Sequence, residues 1–146
     1  MSVLSKERKA EIEESFTKQG LMNTYQARLD RVEHGNIVIS MPFTNSVSQQ
    51  HGFFHGGVIG ALADTACGYA AISIVGDGDA ALTAEYKINL LAPADGETLI
   101  AEGRIIKPGR TLIVCQGDIY IEKENKRKLC AVILMTMCVV KNLGHI

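Results

Sequence analysis

One stretch of this chain, residues 52–76, constrains the fold more than any other. Apart from any charge on His55, Asp64 is its only residue that is ionised at neutral pH, and Gly and Ala dominate the remainder. The stretch is about as long as a bilayer span, but an aspartate near the centre of a span is costly in lipid. A helix without a polar face is otherwise found inside a protein core. The pattern therefore predicts a helix over about residues 57–75 that is buried on all sides.

The segments around this helix show the alternation of polar and apolar residues that is typical of strands. Six strands are predicted, at about residues 25–33, 36–41, 81–91, 98–107, 111–122 and 129–140. The last four are joined by short turns or by the charged run 123–128, which predicts an antiparallel meander. Near the N-terminus, residues 5–19 have the pattern of an amphipathic helix, with Ser5 as its N-cap and Gly20 as its stop.

An apolar helix must be covered by other elements, and a single strongly curved antiparallel sheet would cover it. The predicted fold class is therefore α+β, with a curved antiparallel sheet around a long central helix. At 146 residues the chain fits a single domain, residues 1–146, because no linker divides it. The edge of such a sheet must be covered or paired, which favours an oligomer.

Composition excludes some classes of partner and indicates a compartment. The formal net charge of -1 leaves no broad basic surface, which disfavours nucleic acid as a partner. The four cysteines form no C-x-x-C pair and no zinc-finger spacing, and three lie in apolar stretches. Reduced, buried thiols and the lack of an apolar signal region at the N-terminus predict a cytoplasmic protein that does not enter the membrane.

The start of the long helix has features of a reactive site. Unpaired backbone N–H groups at a helix start attract negative charge, and Gly56 and Gly57 would let a ligand approach them closely. Two turns later, Asp64 could activate a water molecule or attack an electrophile directly. The alternative is that Asp64 only accepts hydrogen bonds from nearby backbone or from a Thr. Small residues share its helical face: Gly57, Gly60, Ala61, Cys67, Gly68 and Ala71.

Three segments resemble a known family. They are residues 49–66, with Gln49, the His55-Gly56-Gly57 run and Asp64; residues 82–94; and residues 107–111. Together they resemble the hotdog thioesterases of the phenylacetate-degradation type, whose signature is an amide residue, then Gly, then His-Gly-Gly, then Leu-x-Asp. The likeness extends over roughly residues 30–142.

The resemblance implies a hotdog fold and hydrolysis of acyl-CoA or aryl-CoA thioesters. It implies that Asp64 is the catalytic carboxylate, that the Gly56 amide stabilises the oxyanion, and that His55 shapes the turn. Thr83 falls where the family often has a Ser or Thr that assists the water. Gln49 falls where many members have Asn, and its side chain is longer by one methylene. The resemblance also implies a homodimer or a homotetramer that is a dimer of dimers, with active sites between subunits.

The predicted substrate-binding residues are Gly57, Lys107, Pro108, Gly109 and Arg110. Lys107 and Arg110 flank a Pro-Gly turn, where they either face solvent or bind the phosphates of coenzyme A. The lysines and the arginine of residues 123–128 likewise either face solvent or bind a phosphate of the nucleotide. Coenzyme A is part of the substrate in this prediction, and no other cofactor is expected.

Other readings of the same residues are open. His51 and His55 have a spacing that suits a metal on a helix, but Gly52 disfavours a helix there and no third ligand is evident, so no metal is predicted. His55 and Asp64 could form the acid–base pair of a hotdog dehydratase that acts on hydroxyacyl thioesters. The chain could also be an acyl-CoA-binding protein without catalytic activity. Glu85 could be a second carboxylate of the site or a solvated strand residue.

Overall fold

The computed structural model describes residues 2–144, so Met1, His145 and Ile146 of the predicted domain lie outside the described residues. The helices are α1 (Lys6–Thr17), α2 (Gly20–Thr24) and α3 (Gly56–Ile72), and a 3-10 turn covers Asn45–Val47. The strands are β1 (Arg28–Glu33), β2 (Asn36–Pro42), β3 (Ala80–Leu90), β4 (Thr98–Lys107), β5 (Leu112–Lys123) and β6 (Lys126–Val140).

All six strands form one antiparallel sheet in the order β1-β2-β4-β5-β6-β3. Helix α3 packs against five of them, β2 to β6. One helix can contact strands from nearly the whole width of a sheet only if the sheet curves around it. The predicted α+β architecture, a curved antiparallel sheet around a long central helix, is therefore confirmed.

The predicted meander of the last four strands is wrong at its first member. Strand β3 pairs with β6 and lies at the edge of the sheet, so that only β4, β5 and β6 form a meander. Residues 91–97 cross the ends of β6 and β5 before β4 begins. The crossing covers three strand spacings, about 14 Å, which seven extended residues can span. A short connection thus does not require that the two strands pair.

Two glycines determine how closely α3 approaches the sheet. Gly103 of β4 and Gly117 of β5 are register partners beneath the helix. A Cβ on Gly103 would overlap the backbone of Ala66, and one on Gly117 would lie 3.1 Å from the sulfur of Cys67. Because neither glycine has a side chain, the middle of α3 rests directly on the sheet.

The sequence predicted that helix α3 is buried on all sides, and this prediction is wrong. Cys67 and Ala71, which were assigned to the small-residue face, are fully buried against the sheet. A stripe on the other side remains at least partly exposed and consists of Gly57, Ala61, Asp64, Thr65 and Gly68. Composition alone does not reveal this stripe because its members are almost as small as the buried ones. Over residues 2–144, no helix has both the length and the apolar character to cross a membrane.

Element ends differ from prediction in two places. Residues 123–128, predicted as a connection, mostly belong to β5 and β6, which are joined by only Glu124 and Asn125. Both have positive φ, 50° and 62°, as in the tight turn that matches the twist of a hairpin. Near the N-terminus, Gly20 does not end the helical region but begins α2.

Helix α1 lies close to its predicted position, and the hydroxyl of Ser5 caps it by accepting the Arg8 N–H at 3.1 Å. The helix packs on α3 through Phe16 and Tyr69, whose ring centroids are 5.9 Å apart in an edge-to-face arrangement. The N-terminal segment therefore covers the second half of α3 and leaves its first half free.

Candidate active site

The first turn of α3 presents a single free backbone donor. The ring nitrogen Nδ1 of His55, the N-cap, accepts the N–H of Gly57 at 2.8 Å. The His55 carbonyl accepts the N–H groups of Val58 and Ile59. Among residues 2–144, the N–H of Gly56 has no acceptor. Gly56 is therefore the donor that remains for a ligand, while the predicted substrate contact Gly57 already donates its N–H to His55.

Gln49 lies beside this donor, in the loop that precedes α3. Its side-chain oxygen accepts the backbone N–H of His51 and that of Phe53, the latter at 3.4 Å. The amide NH2 group, which has two hydrogens to donate, forms no hydrogen bond with any residue in the range 2–144. Gln49 and Gly56 line the same pocket of about 400 Å³, whose apolar wall includes Leu90. The structure thus brings together two of the residues that the sequence predicted.

Asp64 and Thr83 form a second pair. The Thr83 hydroxyl donates to Asp64 Oδ1 at 2.6 Å. Asp64 is half-buried, and its Oδ2 has no hydrogen-bond partner within residues 2–144. The pair lines a pocket of about 150 Å³ together with Gln19, Gly68 and Met137. One oxygen of the carboxylate is therefore held in place while the other remains able to bind water.

A β-bulge explains why Thr83 reaches Asp64. Thr83 pairs with Met137, but Glu85 pairs with Thr136, so Ala84 is an extra residue in β3. Because alternate residues of β6 face opposite sides, Thr83 points to the helix side and Glu85 to the outer side. In a regular strand, without the extra residue, Thr83 and Glu85 would lie on the same face. The Glu85 carboxylate accepts a hydrogen bond from Thr136 and is directed away from Asp64.

The two pairs do not meet within one chain. Gly56 and Asp64 are eight residues apart on α3, which corresponds to about 12 Å along the axis. The pocket at Gly56 and the pocket at Asp64 share no lining residue. One carbonyl carbon cannot contact both groups of the same chain. The sequence analysis predicted this separation of about two helical turns, and the resemblance implies that such groups meet between subunits.

The predicted phosphate-binding turn lies at the other end of α3. Pro108, Gly109 and Arg110 line a pocket of about 360 Å³ with Ile74 and Val75, which follow the last turn of the helix. Helix α3 has 17 residues, so this turn is about 25 Å from Gly56 along the helix axis. Lys107 and its three neighbours in the turn are exposed. A Cβ on Gly109 would collide with the carbonyl oxygen of Leu112, which explains the glycine.

The buried thiols are not candidate nucleophiles. All four cysteines are free, and Cys67, Cys115 and Cys130 are buried, which confirms that part of the prediction. Burial raises the pKa of the Cys67 thiol strongly, and the neighbouring Cys115 and Asp64 raise it further. Burial also raises the pKa of Cys115 to about 12 and that of Cys130 to about 11. These three groups stay protonated at neutral pH, whereas a nucleophilic cysteine must be a thiolate.

Sequence reasoning missed the contribution of the N-terminal segment to the Asp64 pocket. Gln19 donates its side-chain N–H to the Tyr69 hydroxyl at 3.0 Å, and Ser15 lies 2.9 Å from the same hydroxyl. Gln19 had been assigned only to the end of a helix. No local signal identifies this role, because it depends on how α1 and α2 pack on α3.

Comparison with known proteins decides the family. A model of the thioesterase superfamily matches residues 51–128, which include Gly56, Asp64 and Thr83. This chain belongs to the thioesterase superfamily.

Similar proteins agree with this membership. A thioesterase family protein from Silicibacter pomeroyi has a solved structure with a TM-score of 0.90 and 35% identity, over 92% of this chain and 98% of that one. The 1,4-dihydroxy-2-naphthoyl-CoA hydrolase of Listeria monocytogenes is 29% identical over 76% of this chain and 89% of its own. The E. coli PaaI protein from the phenylacetic acid degradation operon shares the fold, with a TM-score of 0.83 and 23% identity over 97% and 98% of the two chains. The predicted hotdog thioesterase family is therefore confirmed, and membership in it supports a hydrolase activity.

Proposed function

We propose that this chain hydrolyses acyl-CoA or aryl-CoA thioesters with water that Asp64 activates. The observation that carries the proposal is the Asp64–Thr83 pair, a half-buried carboxylate with one oxygen fixed at 2.6 Å from a hydroxyl and the other free. A carboxylate in this state can accept a proton from a bound water molecule. The name of the Listeria relative, a CoA-thioester hydrolase, supports this substrate class.

The chemistry follows from the two pairs. Water on Asp64 attacks the thioester carbonyl while Asp64 takes its proton, and the C–S bond then breaks to release coenzyme A as a thiolate. During the attack, negative charge develops on the carbonyl oxygen. The free N–H of Gly56, at the positive end of α3, stabilises this charge, and the amide NH2 of Gln49 is a second donor nearby. His55 supports the step indirectly, because it occupies the Gly57 N–H and so fixes the helix start.

The distance between the pairs supports a site that is built from two copies of the chain. A separation of about 12 Å within a chain is bridged if Gly56 of one copy faces Asp64 of another. Strand β3 is an open edge of the sheet, and it exposes large apolar side chains: Leu82 by 52%, Tyr86 by 45% and Leu90 by 54%. Apolar groups on an unpaired edge favour association. We therefore infer a homodimer, or a homotetramer built from two dimers.

The remaining assignments are part of the same proposal. Lys107 and Arg110 bind phosphates of coenzyme A, while Pro108 and Gly109 shape their turn and Gly57 keeps the helix start accessible. The reaction needs neither a metal nor a cofactor other than the coenzyme A of the substrate. The expected location is the cytoplasm, where such thioesters are made and used.

The dehydratase alternative finds less support in the geometry. That reaction needs His55 as a free base opposite a carboxylate, but His55 Nδ1 is already occupied by the Gly57 N–H. Asp64 is also more than two turns further along the same helix. An acyl-CoA-binding protein without activity would not need the free oxygen of Asp64.

An assay of thiol release with a panel of acyl-CoA and aryl-CoA esters tests the proposal. We expect turnover with at least one member and no formation of a carbon–carbon double bond from hydroxyacyl esters. Light scattering at micromolar concentration should show a dimer or a tetramer. Tight binding of the esters without thiol release would contradict the proposal, and so would a fully active monomer.

A further inference from the structure

The β5–β6 hairpin places three lysines on one side of the sheet. Its register pairs Lys123 with Lys126 and Ile121 with Lys128. Ile121 is buried, 3% exposed, on the side of the sheet that faces α3. Because alternate residues of a strand share a face, all three lysines lie on that concave side. The register cannot slip easily, since the two-residue turn with positive φ fixes it.

The fourth cation of the hairpin has the opposite orientation. Arg127 pairs with Glu102 at 3.2 Å, and its guanidinium lies 5.5 Å from the ring centre of Tyr120. These contacts are on the outer side of the sheet. Arg127 thus adds one positive charge to the same hairpin without facing the concave side.

The concave lysines surround a pocket of about 440 Å³ with an apolar floor. Phe53, Pro93 and Ile121 form this floor. Phe53 and Pro93 also line the neighbouring pocket that contains Gly56 and Gln49. A ligand whose carbonyl lies at Gly56 could therefore extend along a continuous surface to the lysines.

Two of the three lysines have no carboxylate partner. Lys123 binds Asp95 at 2.8 Å, and this hydrogen bond raises the pKa of Lys123. Lys126 and Lys128 form no ion pair with any residue in the range 2–144, although the Glu124 carboxylate lies at the rim of the pocket. The three lysines together with Asp95 and Glu124 give the lining of the pocket a net charge of +1.

The three lysines repel one another modestly, because they lie close together on one face of the hairpin. Like charges directly opposite each other on neighbouring strands are destabilising, and Lys123 and Lys126 form such a pair. Lys128 adds a third positive charge two residues further along the same face. A phosphate group in the pocket would remove this repulsion and would satisfy the unpaired ammonium groups.

We propose that Lys126 and Lys128 bind a phosphate of coenzyme A at the Gly56 end of the site. The inference rests on the proposed function, and it assigns these two lysines as specificity residues for the nucleotide part of the substrate. They touch a part that does not react, so they contribute equally to the ground state and the transition state.

The test compares the double variant Lys126→Gln, Lys128→Gln with the single variant Arg127→Gln. Both kinds of variant remove positive charge from the same hairpin, but only the double variant removes it from the concave side. For an acyl-CoA ester at low salt, we expect the double variant to raise KM about tenfold and to change kcat less than twofold. The Arg127 variant should change KM less than twofold. The N-acetylcysteamine thioester of the same acyl group, which has no phosphate, should show no change in either variant.

An inhibition experiment with adenosine 3′,5′-bisphosphate isolates the phosphate contact. This fragment should inhibit the unaltered protein competitively and should inhibit the double variant about tenfold less well. An equal rise in KM for Arg127→Gln would show diffuse attraction and would overturn the proposal. So would an equal loss with the thioester that lacks phosphate, or no loss at all.

Failure of the proposed function is distinguishable from failure of this inference. If the unaltered protein releases no thiol from any CoA ester, the proposed function fails. In that case, calorimetry of coenzyme A binding tests the role of the lysines. The double variant must bind coenzyme A at least several-fold more weakly than the Arg127→Gln variant does. Equal binding by the two variants would overturn the inference.

Discussion

Two regions of α3 carry opposite chemistry. At its start the helix presents the N–H of Gly56 to a largely apolar pocket of about 400 Å³. In its middle it presents the carboxylate of Asp64 to a pocket of about 150 Å³ that is lined partly by polar groups. The first region can stabilise a developing negative charge, and the second can take a proton from water.

The difference between the two regions is the basis for proposing a site that is built from two chains. A donor for the oxyanion and a base for the water must act on the same carbonyl, yet the helix holds them about 12 Å apart. The helix start is fixed by local backbone N–H groups that donate to His55, whereas Asp64 is fixed by Thr83 from a distant strand. Each region is thus ordered without the other, and in the proposed reaction two associated chains combine them.

The largest expected effect comes from removing the base. Asp64→Asn keeps the shape of the side chain but cannot accept a proton from water, so kcat should fall by at least about a hundredfold. Glu85→Gln is the matched control, because it removes one carboxylate from the outer side of β3. Its kcat should stay within about twofold of the unaltered value. Circular dichroism checks that the Asp64→Asn protein is folded. Near-normal activity of the folded variant would contradict the assignment of Asp64 as the base.

The donor region can be tested with almost no change in shape. Gly56 is the first residue of α3, where proline is well tolerated, and the preceding His55 has φ -64° and ψ 138°, which suits a residue before proline. Gly56→Pro removes the N–H and should lower kcat about a hundredfold.

Gly56→Ala is the control for this change, because it adds a Cβ but keeps the N–H. That Cβ would lie 3.0 Å from the flexible end of Leu90, which can move aside. The alanine variant should therefore lose much less activity than the proline variant. Equal loss in both would indicate that crowding, and not the missing donor, lowers the rate.

Mixing the two inactive proteins tests whether the regions combine between chains. Subunits of Asp64→Asn and Gly56→Pro should exchange after mild denaturation and refolding in a 1:1 mixture. Half of the resulting dimers are then mixed, each with one intact composite site, so about a quarter of the unaltered activity should return. Activity that stays at the level of the separate variants would place both groups of each site in one chain.

The smallest effect is expected at the far end of α3. Replacing both Lys107 and Arg110 with Ala should raise KM for an acyl-CoA ester about tenfold, with a smaller change in kcat. A short thioester without the nucleotide should be unaffected, since it cannot use these contacts. Unchanged KM for both substrates would mean that these residues only face solvent. Comparison with the Lys126 and Lys128 variants shows whether phosphates are bound at one end of the helix or at both.

Much of the fold could be predicted because local patterns determine it. The apolar composition of residues 52–76 predicted the long helix, and Ser5 marked a helix start that the structure contains. The His-Gly-Gly run and Asp64 identified the family that the comparisons confirm. These features depend on neighbouring residues, so a single sequence is enough to recognise them.

Other features were decided only by tertiary structure. The partner of β3 depends on which edge is free once β4, β5 and β6 have paired, and the connection lengths allow more than one answer. The bulge at Ala84 turns Thr83 toward Asp64, and nothing in the alternation of that strand indicates it. The packing of α3 on Gly103 and Gly117 selects which small residues are buried and which remain exposed.

The sequence by itself therefore determined the elements and the chemical types of the candidate site, whereas the three-dimensional packing decided their distances. Gly56 and Asp64 are recognisable at their positions in the chain because a helix start and an isolated carboxylate are local features. The contact of 2.6 Å between Thr83 and Asp64, in contrast, exists only because a bulge in β3 turns Thr83 toward the helix. The common face of Lys123, Lys126 and Lys128 likewise exists only because a two-residue turn sets the register of the hairpin.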